Sequence, residues 1–483
     1  MSTASPLVVV GDALLDCDMD GQVSRLCPDA PVPVLEDAGP AWRPGGAALA
    51  ALLAAAGEVP VILVAPLGAD EASCTVRALL EPHVTVVGLP LTGPLAEKTR
   101  FRADGRTLLR ADRAGGHAGP AGAEAAEAIA AAGAVLVSDY GRGITADERI
   151  RAALSRQAGR APLVWDPHPK GASPVPGTRL VTPNYAEAVA AAGQPPAREQ
   201  HLLRSAAAAA GELSRSWGVN AVAVTLGARG SVLVQGDASP LVVPAERLAV
   251  TDTCGAGDRF AATAAVSLRQ GALASEAVTE ATSAASSYLA AGGARLYSSP
   301  SRTSPVTLPS RAGTGTAAGA PAGRRPGRPD QNAPELARRI RAAGGTVVAT
   351  GGCFDLLHAG HVSLLQAARS LGECLIVCLN SDASVRRLKG DGRPLNHLAD
   401  RVSVLAALGC VDAITVFSED TPCAVLERIR PDIWVKGGDY DGRDLPEAAV
   451  LENWGGVAVT VPYLNGRSTT RLHAATLDGA DRD

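Results

Sequence analysis

Two histidines three positions apart, His358 and His361, follow a glycine-ended apolar run in "GGCFDLLHAGHVSLL" (351–365). Helical spacing begins at about 358, so both share one helical face at or just before a helix start. Free N–H groups and the helix dipole favour anions there. Two imidazoles at that place can donate hydrogen bonds to phosphate oxygens. That suits nucleotidyl transfer, in which charge spreads around a pentacoordinate phosphorus. It needs no protein nucleophile, because a phosphate on one substrate displaces pyrophosphate from the other. Zinc is the competing use, but the usual His-x-x-x-His helical pair is absent and no third Cys/His cluster stands at metal spacing.

A second constellation lies at 251–263, "TDTCGAGDRFAAT", where a glycine-rich turn runs into a helix. The N–H groups of Gly255, Ala256 and Gly257 can converge on one oxyanion, because glycine lets backbone approach closely. Asp258 then stands at the helix start beside that oxyanion. A carboxylate there can accept the proton of a sugar hydroxyl as it attacks the γ-phosphorus of ATP. Taken alone, GxGD also describes a capped helix after a glycine turn.

Strands must carry these elements. "PLVVVGD", "VILVAPLG", "AVLVSDYG", "PLVWDP", "RLVTPN" and "AVAVTLG" read as strands in the first part of the chain, and "GTVVATGG", "CLIVCLNSD", "AITVFSED", "DIWVKGGD" and "VAVTVPY" in the last. Separated by Ala-rich helical stretches, they predict parallel α/β sheets. Most end in small polar residues, as expected where such sheets present ligands at their carboxyl edge. Residues 17–43 lack helical period, and 95–110, "LAEKTRFRADGRTLLR", predict a hairpin turning at "ADG". Together they predict a small β lid. From 296 to 333 periodicity vanishes and Pro, Gly, Ser, Thr and Arg dominate, which predicts a disordered linker.

Composition narrows the function classes. The chain's 483 residues imply two or three domains, and 46% apolar residues suffice for their cores. Aromatics are 3%, so Ala, Val and Leu fill those cores. A net charge of −4 supports neither a nucleic-acid nor a membrane partner. The basic "GRRPGRP" (323–329) sits in the Pro/Gly-rich stretch and reads as solvated linker. Nine scattered cysteines without a CxxC pair suit a reducing cytoplasm. "MSTASPLVVVGDALLD" reads as a first strand rather than a signal peptide, and no apolar run reaches the roughly 18 residues of a membrane span.

The rear motif, "GCFDLLHAGH", resembles the signature of the cytidylyltransferase-like nucleotidyltransferases. "NSDASVRRLKGDGRPLN" (380–396), "VKGGDY" (435–440) and "GRSTTR" (466–471) extend the likeness over nearly all of 345–475. The resemblance implies that His358 and His361 stabilise the transition state and that Gly352, Phe354 and Asp355 shape the pocket. It implies that Ser468, Thr469 and Thr470 hold β- and γ-phosphates, and it makes Lys389, Arg401, Lys436 and Asp439 candidates for phosphate or substrate contact.

The front motif, "DTCGAGD", with "VVVGDALLD" and "RPGGAALAALLAAAG", resembles the ribokinase-like sugar kinases. By that resemblance Asp12, Asp16, Gly45 and Gly46 bind sugar hydroxyls. Asn184 and Glu187 of "TPNYAE" lie near the phosphates and Mg2+, with Glu187 a possible metal ligand. Thr225, Gly227 and Gly230 of "VTLGARG" lie along the nucleotide. A lid is this family's habit, and paired lids commonly make its dimers. Leu49 and Thr282 depart from the pattern, standing where relatives commonly have Asn.

The pairing of the two halves, with "SRLCPDAPVPVLE" (24–36), "SDYGRG" (138–143) and "EDTP" (419–422), resembles the bifunctional enzymes of ADP-heptose synthesis. The expected architecture is α/β: a ribokinase-like domain with a small β lid at 1–298, a linker at 299–333 and a Rossmann-like nucleotidyltransferase domain with a parallel sheet at 334–483. The implied substrates are a phosphorylated heptose and a nucleoside triphosphate, ATP with Mg2+. The implied reactions are phosphorylation of heptose 7-phosphate at O1 and transfer of AMP to heptose 1-phosphate, with a separate phosphatase acting between them. Arg25, Lys98 and Arg100 suit the 7-phosphate dianion. The alternative is a rear half using CTP, GTP or another sugar phosphate, with the front half a non-catalytic sugar-binding or dimerisation module.

Overall fold

The computed structural model describes residues 5–198, 201–250, 252–309, 332–437 and 446–462. The chain divides into two compact units: 1–195, 209–236 and 245–315 form the first, and 196–208, 237–244 and 316–483 the second.

In the first unit the Val-rich run Leu7–Gly11 is wholly buried, as a strand covered on both faces must be. It lies between Ala134–Ser138 and Val61–Pro66, parallel to both. Thr85–Leu89 extends one side, and Leu163–Asp166, Leu180–Val181 and Ala221–Thr225 the other, all parallel. Ser231–Gln235 adds antiparallel to Ala221–Thr225. The register pairs Gly11 with Ser138 and Ser138 with Asp166. The residues just beyond these positions therefore emerge together at the carboxyl edge, where parallel sheets gather ligands. Helix Ala256–Arg269 packs against Ala134–Ser138 and Leu163–Asp166, which brings the glycine turn to that edge.

The predicted lid is a four-stranded sheet, ordered Pro33–Gly46, Ala13–Leu26, Glu97–Ala103, Arg106–Arg113. Its hairpin turns at Asp104 and Gly105, with φ of 49° and 75°. Two successive positive φ values suit the right-handed twist of the flanking strands, and Asp-Gly is the pair that accepts them most readily. One face of the lid carries a charge ladder, because pairing sets Asp16 against Lys98, Asp18 against Arg100 and Asp20 against Arg102. Opposite charges on directly facing residues support the register.

Packing against the first unit runs past 298, into the stretch whose composition reads as linker. Ser299 bridges to Trp42, the Arg302 guanidinium lies 3.7 Å from the centre of the Trp42 ring, and Val306 is buried.

The second unit is a parallel sheet ordered Ala413–Phe417, Cys374–Asn380, Val347–Gly352, Ile433–Gly437, Val457–Val461. Leu241–Val243 joins its edge, Leu241 pairing with Thr460, which is why 237–244 belongs to this unit. Ile376, Cys378, Phe417, Leu426 and Trp434 form part of its core. Helix Ala359–Ser370 leaves the sheet after Val347–Gly352.

Candidate functional site

Asp258 sits in the first turn of helix Ala256–Arg269 and is 7% exposed. Gly255 caps that helix at φ 79°, and a Cβ there would come within 2.4 Å of the Tyr288 hydroxyl and 3.0 Å of Leu49. Both the conformation and the close approach require glycine. The Ala256 N–H closes this turn onto the Thr253 carbonyl at 3.2 Å. Of the three amides read from the sequence as an anion hole, this one is thus committed to the turn. Gly257 has open space beside it, where a Cβ would touch nothing.

The Tyr140 hydroxyl donates to both Asp258 oxygens, at 2.9 and 3.1 Å. Burial pushes the Asp258 carboxyl up to about 7; Asp16 adds to the rise, while the Tyr140 bond and Lys98 oppose it. Asp12, 1% exposed, accepts the Tyr140 and Arg142 amides on Oδ2 at 3.2 and 2.9 Å. Asp16 Oδ2 faces the Arg43 and Arg100 guanidinium groups at 3.4 and 3.3 Å. The Oδ1 atoms of Asp12 and Asp16 are buried without a partner among the described residues, as two acceptors for sugar hydroxyls would be. Gly45 lies against Asp16, and Gly46, at φ 60°, against the Asp12 carbonyl. Arg100 and Lys98 stand by this group, the Lys98 ammonium 5.5 Å from the centre of the Tyr140 ring. Arg25 does not join them: it is exposed and paired with Glu36 at 2.9 Å.

Asn184 and Glu187 form a reciprocal capping box on helix Tyr185–Ala191. Burial raises the Glu187 carboxyl. Asp166, which ends its strand, accepts from the Thr182 hydroxyl at 2.9 Å, and burial, then the nearby Asp258, push it well above the carboxylate range. Thr225 bridges to Asn184, while Gly227 and Gly230, at φ 59° and 92°, shape the following turn. Leu49 is buried beneath the Gly255 turn, and Thr282 bonds Ser231 at 2.9 Å. Sequence reasoning missed Tyr140, Asp139 and Asp166. All three stand at the carboxyl ends of strands it identified, and that position was the available signal.

In the second unit His358 is the N-cap of helix Ala359–Ser370, its Nδ1 accepting the Gly360 N–H at 3.1 Å. Neutral His358 therefore carries its proton on Nε2, a donor. The ring centres of His358 and His361 are 3.9 Å apart, and Phe354, at φ 43°, lies 5.3 Å from His361. Burial, then His358 and Lys389, lower the His361 imidazole to about 4, so it is neutral at pH 7. Its Nδ1 is buried without a partner among the described residues. A Cβ on Gly352 would press on the Phe354 ring at 3.3 Å.

Asp355 ties down the loop at 393–396, accepting the Leu395 and Asn396 amides at 2.7 and 3.1 Å and Arg393 at 2.7 Å. Arg401 departs from its expected role in phosphate contact. It is 2% exposed, and it donates to the carbonyls of Asn396, Cys353 and Asn380 and to Asp382. Those bonds leave it one N–H of the five a guanidinium has. Lys389 is exposed, and Lys436 pairs with Glu447 at 2.8 Å. Asp439, Ser468, Thr469 and Thr470 lie outside the described residues.

Two family models match the chain. Residues 5–302 match the pfkB family carbohydrate kinases, and residues 349–468 match the cytidylyltransferase-like family. The chain is 55% identical over 476 residues to the "Bifunctional protein HldE" of Streptomyces coelicolor, covering 99% of this chain and 97% of that one. It is 37% identical over 481 residues to the protein of the same name from Azorhizobium caulinodans, covering 97% and 98%.

Proposed function

The chain belongs to the family of the bifunctional HldE proteins, and from that premise we propose that its two units carry the two reactions on separate sites. The first is a sugar kinase that transfers the γ-phosphoryl group of ATP to O1 of D-glycero-β-D-manno-heptose 7-phosphate. The second is a nucleotidyltransferase that moves AMP from ATP to heptose 1-phosphate, giving ADP-heptose and pyrophosphate. The observation that carries this reading is a match running end to end through a chain that holds both chemical elements, each at the mouth of a helix. Relatives matched over both units do not favour a non-catalytic front half.

In the kinase, Asp258 takes the O1 proton as the O1–Pγ bond forms and the bond from Pγ to the bridging oxygen breaks, releasing ADP. Asp12 and Asp16 hold sugar hydroxyls through their unpartnered oxygens, and Lys98 and Arg100 take the 7-phosphate. The Gly255 and Gly257 amides face the transferring group. Among the described residues no group of three or more His, Cys, Asp or Glu side chains is placed to hold a metal. The proposed Mg2+ is carried chiefly by nucleotide phosphates and one or two carboxylates. Glu187, raised by burial, is a carboxylate that a cation would satisfy, with Asp166 near it. Bound there, Mg2+ would neutralise charge on the phosphates.

In the transferase a phosphate oxygen of heptose 1-phosphate attacks Pα, and pyrophosphate leaves. His358 donates to the equatorial oxygens through Nε2–H, and neutral His361 through Nδ1–H, its nitrogen without a partner among the described residues. Asp258→Asn should abolish sugar phosphorylation and leave ADP-heptose formation from heptose 1-phosphate intact. His361→Ala should do the reverse, cutting AMP transfer about 100-fold or more, the scale of one lost oxyanion donor. Equal loss of both activities in either folded variant would refute separate sites.

A cytoplasmic setting suits the use of ATP and nine free cysteines. No helix among the described residues is long and apolar enough to cross a membrane. Pairing of two copies through the lid suits its exposed edge strand Arg106–Arg113, which presents Leu108 and Leu109 to solvent.

A further inference from the structure

We propose that Tyr140 is the positioning residue for the kinase base: its phenol fixes the Asp258 carboxylate through one forked hydrogen bond and keeps it able to accept a proton. The inference rests on the reading of Asp258 as that base. A phenol has a single proton, so a bond forked between Oδ1 and Oδ2 leaves lone pairs on both for an incoming hydroxyl.

The tyrosine is itself held on several sides. Its own N–H and that of Arg142 bond the buried Asp12, and the intervening Gly141 N–H bonds Asp139 at 2.7 Å. Asp139 is pinned in turn by the Thr145 hydroxyl at 2.8 Å. Two buried carboxylates from adjacent strand ends thus set the 139–142 turn, and the turn sets the phenol. With two side-chain torsions and a fixed backbone, tyrosine places its oxygen with little freedom left to lose.

Asp258 needs this donor. Around it stand Asp16 from strand Ala13–Leu26, Lys98 from Glu97–Ala103, Asp166 at the end of Leu163–Asp166, and Tyr288 from the following helix, Ala274–Ala290. Of these, the Asp16 carboxylate disfavours a second negative charge and the Lys98 ammonium favours it, whereas Asp166 is itself pushed up by Asp258. Burial and Asp16 would leave the carboxyl protonated at neutral pH, and the Tyr140 bond offsets part of that penalty.

Kinase assays of Tyr140→Phe across pH 5.5–9.5 test this. The acid limb of kcat/KM should move up by about one pH unit, so that the rate at pH 6.5 falls about tenfold. The rate at pH 9 should return towards that of the unaltered enzyme, with KM for heptose 7-phosphate little changed. A loss by the same factor at every pH would overturn the proposal, since a phenol that only fills space has no way to move the limb. Should phenylalanine prevent folding, 3-fluorotyrosine at 140 keeps the shape and donates more strongly; the limb should then move down, and an unmoved limb again overturns the idea. Asp258→Asn serves as the control. A variant still active in sugar phosphorylation removes Asp258 as the base, whereas an inactive one together with an unmoved Tyr140→Phe limb removes only the role of Tyr140.

Discussion

A base that is useful at neutral pH, the role proposed for Asp258, is a burden on the fold that carries it. Asp258 binds its proton more tightly in the native chain, at about 7, than the ordinary 3.8 of an unfolded aspartate. Between those values the native state holds the extra proton, so this group's contribution to stability is fullest below 3.8 and is lost as pH rises through 7. An asparagine in its place would have no charge to bury and would keep an oxygen for the Tyr140 hydroxyl. Asp258→Asn should therefore stabilise the kinase unit at pH 8 by on the order of 2 kcal/mol and lose that advantage by pH 4. Calorimetry at the two pH values would measure it. A variant that melts no higher at pH 8 would mean the carboxylate is relieved by some other contact. His361 shows the opposite arrangement: lowered to about 4, it is already neutral at pH 7, and in its proposed role it would donate without carrying charge to the phosphates.

At the scale of elements, Arg401 distinguishes what sequence can and cannot reveal. Its guanidinium joins the loop at 396, the strand ends at 353 and 380, and the helix start at 382. Removing it takes the donor from three carbonyls, of which that of Asn380 is buried. Arg401→Ala should destabilise the second unit by about 3 kcal/mol, and Arg401→Lys should recover little, because an ammonium's three donors radiate from one nitrogen and cannot span the four acceptors that the three guanidinium nitrogens reach. Urea unfolding checks this; a stable variant with only a raised KM for ATP would restore the phosphate contact suggested by its position in the motif. The strands themselves were legible, because Val-rich runs ending in small polar residues have few other uses in an α/β chain. So was the hairpin, since Asp104-Gly105 is a local signal. His358 and His361 were legible for the same reason, their relation being fixed within one turn of helix. The forked bond from Tyr140 to Asp258 joins residues 118 apart, and that of Arg401 to Cys353 residues 48 apart. Such partners are set by sheet order and register, which no local pattern encodes. Sequence likewise overstated Arg25, whose exposed pairing with Glu36 depends on the register of two long lid strands.

At the scale of the whole molecule, the two reactions share a chain without sharing an intermediate. In the proposed reactions the kinase makes a heptose 1,7-bisphosphate, whereas the transferase accepts heptose 1-phosphate, so a separate phosphatase must act between them. The product of the first site therefore leaves the protein before the second site can use it, whatever the geometry of the two units. Fusion then ensures equal amounts of the two activities rather than direct transfer. An equimolar mixture of Asp258→Asn and His361→Ala proteins, supplied with phosphatase, ATP and heptose 7-phosphate, should make ADP-heptose at about half the rate of the unaltered enzyme at the same total concentration, since each site is present at half its number. That proportion follows from mass action through a freely diffusing intermediate. A mixture that forms both intermediates in solution yet makes almost no ADP-heptose would require the sugar to be handed on within one chain, and would bind the two sites together more closely than their chemistry demands.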